Sequence, residues 1–129
     1  MASALYPSFK ALLLGGDIDL AADDIRAVLI DTADYTYSAA HDFLDDVAAG
    51  ARVAVSPALA SKTITAGVFD AADTTFTAAT GDSVEAVVLY KHTGADATSS
   101  LIAYIDGISV IPNGGNITAQ WNASGIFAL

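Results

Sequence analysis

The sequence predicts a mainly β protein: an antiparallel β-sandwich or small barrel, jelly-roll-like, with one or two short helices in its N-terminal half. The stretch from Gly67 to His92 strings β-branched and aromatic residues between turn-forming aspartates and glycines, a pattern typical of antiparallel strands. Seven or more short strands with turn signals between them favour a sandwich or barrel. Fourteen of the fifteen acidic residues are aspartate, which favours turns and helix caps over helix interiors.

Length and composition indicate one β-rich domain over residues 1–129, because a chain of this size can bury a core of its own and no shift in composition marks a second unit. There are no cysteines, and the formal net charge is −10. Such an acidic surface does not neutralise phosphates, so nucleic acid is not an expected partner. The first apolar run is too short to span a bilayer and lacks the charged start of a secretory signal. We therefore expect no membrane partner and synthesis in the cytoplasm.

The N-terminal half carries the helical signals. Tyr6 to Leu14 predicts a short helix, with a proline in its first turn and two glycines as its stop. Ile25 to Ile30 predicts a strand in which Arg26 is the only charge, followed by a loop from Asp31 to Ser38. Ser38 can cap a second short helix that runs to Asp45 or Val47 and ends by Gly50.

The rest of the chain is predicted to be β almost throughout. The segment from Ser83 to His92 is apolar on both of its alternating faces near the middle, so both faces must be covered, by a helix of the same chain or by a neighbouring subunit. The predicted strands after the second helix are Arg52–Val55, Lys62–Thr65, Val68–Ala71, Thr74–Ala78, Ser83–His92, Leu101–Asp106, Asn116–Trp121 and Ile126–Leu129.

Few residues suggest catalysis or metal binding. His41 and His92 are the only histidine bases, and His41 next to Asp42 does not by itself give the geometry of a catalytic triad. The aspartates from Asp17 to Asp24 lack the glycine and glutamate positions of an EF-hand, so a solvated turn explains them better than calcium does. We therefore predict no enzyme activity, no cofactor and no metal site.

Interaction surface is the remaining class of function. Tyr35 and Tyr37 in a loop, Pro112 before a glycine turn, and Trp121 near the chain end are of types found at interfaces. Trp121 lies on the apolar side of its predicted strand, which favours the core.

Four segments resemble a family of small proteins encoded among the structural genes of tailed bacteriophages: Leu5 to Leu14, Asp31 to Leu44, Gly67 to Phe76 and Pro112 to Leu129. They carry the phrases LYPxFKxxLL, DTADYTYSAAHxFL, GVFDAADTTF and PNGGxIxxxW followed by IFAL. The resemblance spans nearly the whole chain. It implies a virion structural protein, in particular a capsid cement or decoration protein, and it carries over no catalytic residue.

A cement role implies binding to the major capsid protein on the outer surface of the capsid, and we expect a homotrimer there. Met1 to Leu14 and Ile126 to Leu129 are expected to be buried against neighbours. The residues expected to contact partners are Leu5, Tyr6, Phe9, Tyr35, Tyr37, Pro112, Phe127 and Leu129.

Two other roles fit the same sandwich. It can be a tail or baseplate component, or a carbohydrate-binding module in which Tyr35, Tyr37 and Trp121 stack on sugar rings.

Overall fold

The computed structural model describes residues 3–128 and shows the mainly β, sandwich-like fold that the sequence predicts. Its α-helix is α1 (Pro7–Leu14), and three short 3-10 turns cover Leu44–Asp46, Ala49–Ala51 and Asp96–Thr98. Its ten strands are β1 (Ala4–Leu5), β2 (Ile25–Ile30), β3 (Arg52–Val55), β4 (Thr63–Thr65), β5 (Val68–Asp70), β6 (Thr74–Phe76), β7 (Val84–Lys91), β8 (Leu101–Val110), β9 (Ile117–Ala119) and β10 (Phe127–Ala128).

The strands form three antiparallel sheets. The largest has five strands in the order β1-β8-β7-β2-β3, with β7 in its centre. A three-stranded sheet has the order β10-β5-β4, and β6 pairs with β9 in a separate ribbon. The long central strands β2 and β7 pair without interruption from Ile25 opposite Lys91 to Ile30 opposite Ala86.

The chain itself covers both faces of the five-stranded sheet. On one face, Leu29, Val87 and Ile105 lie in one row across β2, β7 and β8, and they line the same cleft as Ile117 of β9 and Ile126. On the other face, the segment that carries Tyr35 and Tyr37 lies over β8, where both rings contact that of Tyr104. The buried faces of β7 therefore do not require a neighbouring subunit.

The prediction of a second helix, capped by Ser38, is wrong. Phe43 is extended instead and bridges to Ser100, and the N–H of Leu44, the first residue of the 3-10 turn, donates to the carbonyl of Ser99. The carboxylate of Asp46 then accepts the N–H of Asp42 at 2.9 Å, which closes a tight turn in place of a helix. Tertiary pairing and side-chain hydrogen bonding thus override the local helix signal.

Most other elements lie within two residues of their predicted bounds, but β8 is four residues longer than predicted. Gly107 has a φ of +90°, and the register shifts between Ala86 opposite Asp106 and Val84 opposite Val110. The glycine therefore marks a bulge within the strand rather than its end. Among residues 3–128, no helix is long and apolar enough to cross a membrane.

Candidate functional site

Three residues predicted to contact partners lie instead in the core of the chain. Tyr6 and Phe9 are fully buried, and Tyr35 is 4% exposed. These side chains leave no surface for a partner, so the prediction is corrected for them. The sequence pattern could not separate the two cases, because aromatic residues are enriched both in cores and at interfaces.

The other predicted contact residues within the described chain are partly exposed. They are Leu5, Tyr37, Pro112 and Phe127, while Leu129 lies outside the described residues. Phe127 links the two ends of the chain, since its ring meets that of Phe9 edge to face with centroids 5.8 Å apart. The described parts of both terminal segments therefore pack on their own chain.

A cluster of four tyrosines and one histidine lies on the face of β8 opposite Ile105, and one of its members, Tyr104, belongs to β8 itself. The ring of Tyr104 lies 6.3 Å from that of Tyr35 and 5.6 Å from that of Tyr37, measured between centroids. The Tyr35 hydroxyl is 2.7 Å from the Tyr6 hydroxyl and 2.9 Å from Nδ1 of His41. Phenol, phenol and imidazole thus form one hydrogen-bonded chain that begins in the core and ends at a half-buried histidine.

The electrostatics of this cluster favour a structural role over nucleophilic catalysis. Burial raises the pKa of Tyr6 above its usual range, and the hydrogen bond with Tyr35 raises it further. Burial also raises the pKa of Tyr35. The hydroxyl that His41 contacts therefore belongs to a phenol that holds its proton tightly, whereas an activated nucleophile must lose its proton readily.

The aspartates between Asp17 and Asp24 serve the turn and neighbouring ion pairs. The carboxylate of Asp19 accepts the backbone N–H groups of Ala21 and Ala22. The side chain of Asp24 binds Arg26 through two oxygens, each 3.0 Å from a guanidinium nitrogen, and this contact lowers the pKa of Asp24. The carboxylates of Asp19 and Asp24 therefore stabilise this turn and the start of β2 through hydrogen bonds.

A second acidic cluster was not predicted from the sequence. Carboxylate oxygens of Asp31, Asp34 and Asp82 lie within 4.8 Å of one another, with Asp31 buried and the other two exposed. Nearby, Glu85 accepts hydrogen bonds from both the N–H and the hydroxyl of Thr32. Asp82 comes from a loop that follows β6, so no spacing along the chain could reveal the cluster.

An apolar groove of about 360 Å³ opens beside the three-stranded sheet. Ile64, Phe69 and Phe127 lie opposite one another on β4, β5 and β10, and they form one wall of the groove. The remaining lining comes from the end of α1 and the turn after it: Leu13, Gly16, Ile18, Asp19 and Leu20, with Gly67. The sequence showed that Ile64 alternates with threonines, but not that this face is open to solvent.

A smaller cleft of about 210 Å³ lies between the five-stranded sheet and β9, with Trp121 in its wall. Trp121 is half-buried, and its indole N–H donates to the carbonyl of Ala72 at 3.1 Å. Tyr35 and Tyr37 contact Tyr104, whereas Trp121 shares its cleft with Ile105. Since successive residues of a strand point to opposite faces, the three aromatic residues lie on opposite sides of the sheet and do not form one sugar-stacking platform.

No family model matches the chain, and a comparison with curated proteins found no match.

Proposed function

We propose that the protein is a structural component of a tailed-phage virion, a cement or decoration protein that binds the outer surface of the major capsid shell and stabilises it. The phage role is what the family resemblance implies, and the structural observation that supports binding to another protein is the apolar groove beside β4, with Ile64 53% exposed at its rim. An open apolar groove on a chain with a net charge of −10 is a surface suited to binding another protein.

The charge of the chain supports a place on the outside of the shell. A net charge of −10 disfavours binding to packaged DNA, because contact with phosphates requires basic side chains. The same charge opposes non-specific aggregation of the free protein.

Self-association as a homotrimer is part of the proposal and rests on the family resemblance. Because the chain covers both faces of its large sheet, burial of that sheet gives no separate reason for a trimer. Light scattering of the purified protein tests it directly: a mass of three chains supports the trimer, and a mass of one chain contradicts it.

The test of the capsid role uses virions of the phage that encodes the protein. Immunogold labelling should place it on heads, and heads assembled without it should open at a lower temperature until purified protein is added back. Labelling confined to tails would make it a tail or baseplate component, and its absence from purified virions would overturn a structural role altogether.

A further inference from the structure

Among residues 3–128, no strand pairs with the outer edge of β4. It is the outer strand of the order β10-β5-β4, and all three of its residues are exposed. Thr65 pairs with Val68 across the two-residue turn Ala66-Gly67. The two residues that flank such a turn form a hydrogen-bonded pair. The next pair, Ile64 and Phe69, is then a non-hydrogen-bonded pair, so the N–H and carbonyl of Ile64 point away from β5. The edge thus presents one donor and one acceptor at Ile64.

The side chain of Ile64 extends an apolar row to the same edge. Phe127, Phe69 and Ile64 follow one another across the three strands. Phe69 is 2% exposed, whereas Ile64 is 53% exposed. A strand added beside β4 would continue this row and cover Ile64 with an apolar side chain of its own.

Negative charge borders the groove. Ile18 and Leu20 are buried and line it, while the alternate residues Asp17 and Asp19 are exposed. Two lysines reach this segment: Lys91 pairs with the carboxylate of Asp23, 3.2 Å away, and Lys62, which precedes β4, donates to the backbone carbonyl of Asp23. The three carboxylates of Asp17, Asp19 and Asp23 outnumber these two lysines, so the rim keeps a net negative charge. A partner segment with basic residues next to its apolar ones would therefore complement the rim.

We propose that this groove binds an extended apolar segment of another protein, flanked by lysine or arginine, which adds as a strand to β4. Strand addition of this kind combines backbone hydrogen bonds with side-chain pockets. The inference rests on the proposed capsid role, because it names the surface through which the protein would dock. A second copy of the chain fits less well, since it would bring another charge of −10 to an acidic rim.

The first experiment probes the groove without the capsid. The capped peptide Lys-Lys-Thr-Val-Thr-Val-Lys-Lys is titrated into the isotope-labelled protein and followed by amide chemical shifts, with the glutamate-flanked version as its matched control. We expect the lysine peptide to shift the amides of residues 63–65 and of the groove, the glutamate peptide to have little effect, and added salt to weaken the response. No shift at residues 63–65 would overturn the inference. Shifts there that depend only on protein concentration would show that a second copy occupies the groove, and would also overturn it.

The second experiment separates the groove from the capsid role. Ile64→Asp should weaken binding to heads by about tenfold or more, as expected for loss of a central apolar contact. Ile111→Asp is the matched control, because Ile111 is also an exposed isoleucine, at 80%. If wild type and both variants bind heads equally well, the groove is not the docking site although the capsid role holds. If none binds heads while the lysine peptide still binds at residues 63–65, the capsid role fails and the groove stands.

Discussion

The hydroxyl of Tyr35 lies 2.7 Å from the hydroxyl of Tyr6, in the core beneath the loop that covers β8. Tyr35 also lies 2.9 Å from Nδ1 of His41, so it is the middle member of a three-group chain. When Nδ1 is unprotonated, Tyr35 donates to it and Tyr6 donates to Tyr35, and each of these protons has an acceptor. The chain fastens the loop to the segment between β1 and α1.

Removal of the middle hydroxyl should cost more stability than removal of an outer one. Tyr35→Phe leaves the buried Tyr6 hydroxyl without its acceptor and His41 without its donor, so we expect a loss of about 2 kcal/mol in the free energy of unfolding, against about 1 kcal/mol for Tyr6→Phe. Tyr37→Phe is the control, because its hydroxyl makes only a long contact of 3.4 Å with the carbonyl of Leu5. Urea unfolding measures all three, and equal losses would show that the hydroxyls do not act as a chain.

A second prediction concerns acid stability. The backbone N–H of Asp42 donates to the carboxylate of Asp46 and lowers its pKa. A group whose pKa is lower in the folded state stabilises the protein above its unfolded pKa, about 3.9 for aspartate, and loses that effect as the pH falls through the folded value. Asp46→Asn should therefore lower the melting temperature at pH 6, and the difference from wild type should shrink between pH 4 and pH 2.

Asp45→Asn is the matched control for this prediction, because Asp45 is the adjacent exposed aspartate. Melting curves recorded at each pH unit compare the three proteins. A difference between wild type and Asp46→Asn that stays constant from pH 6 to pH 2 would contradict the role of the Asp46 carboxylate.

The outcome for residues 42–47 shows what the sequence could and could not predict. The strand β2 was predicted to the residue, because its run is apolar apart from Arg26 and lies between the turn-forming Asp24 and Asp31. The helix after Ser38 failed because its local signal competes with the bridge between Phe43 and Ser100, a contact across 57 positions. The groove wall was unpredictable for the same reason, since it joins the end of α1 to β4 and β10.

A third prediction uses the turn between β4 and β5. Ala66 has a φ of +52° and Gly67 of +80°, so both residues of the turn are left-handed, a conformation that costs an alanine about 1 kcal/mol. Asparagine followed by glycine is the preferred pair for such a turn. Ala66→Asn should raise the free energy of unfolding by about 0.5–1 kcal/mol. Ala58→Asn is the control, because Ala58 is an exposed alanine without a positive φ, and it should leave the free energy of unfolding unchanged. Denaturant titrations measure both variants, and equal effects would show that the backbone of Ala66 is not strained.

A fourth prediction addresses the cluster of Asp31, Asp34 and Asp82. Three carboxylates within 4.8 Å repel one another, so Asp82→Asn should raise the melting temperature at pH 7 in low salt. The gain should shrink in 0.5 M salt, because ions screen exposed charges. Asp96→Asn is the opposite control, since Asp96 pairs with Arg52 at 2.7 Å and its loss should bring no gain. A lower melting temperature for Asp82→Asn would show that its charge stabilises the loop.

The last prediction concerns Gly125, where the chain turns into β10. The residue has a φ of +113°, and a Cβ placed on it would lie 2.2 Å from Cγ1 of Val68. Gly94 has a similar φ of +95°, but among residues 3–128, apart from its two chain neighbours, no heavy atom lies within 4 Å of such a Cβ. Gly94→Ala therefore carries only the backbone strain, about 1 kcal/mol, whereas Gly125→Ala must also displace Val68. We expect Gly125→Ala to lose at least twice as much unfolding free energy and, in hydrogen exchange, to release the amides of β5 and β10 first. Equal losses for the two variants would mean that β10 does not depend on the close approach of the Gly125 backbone to Val68.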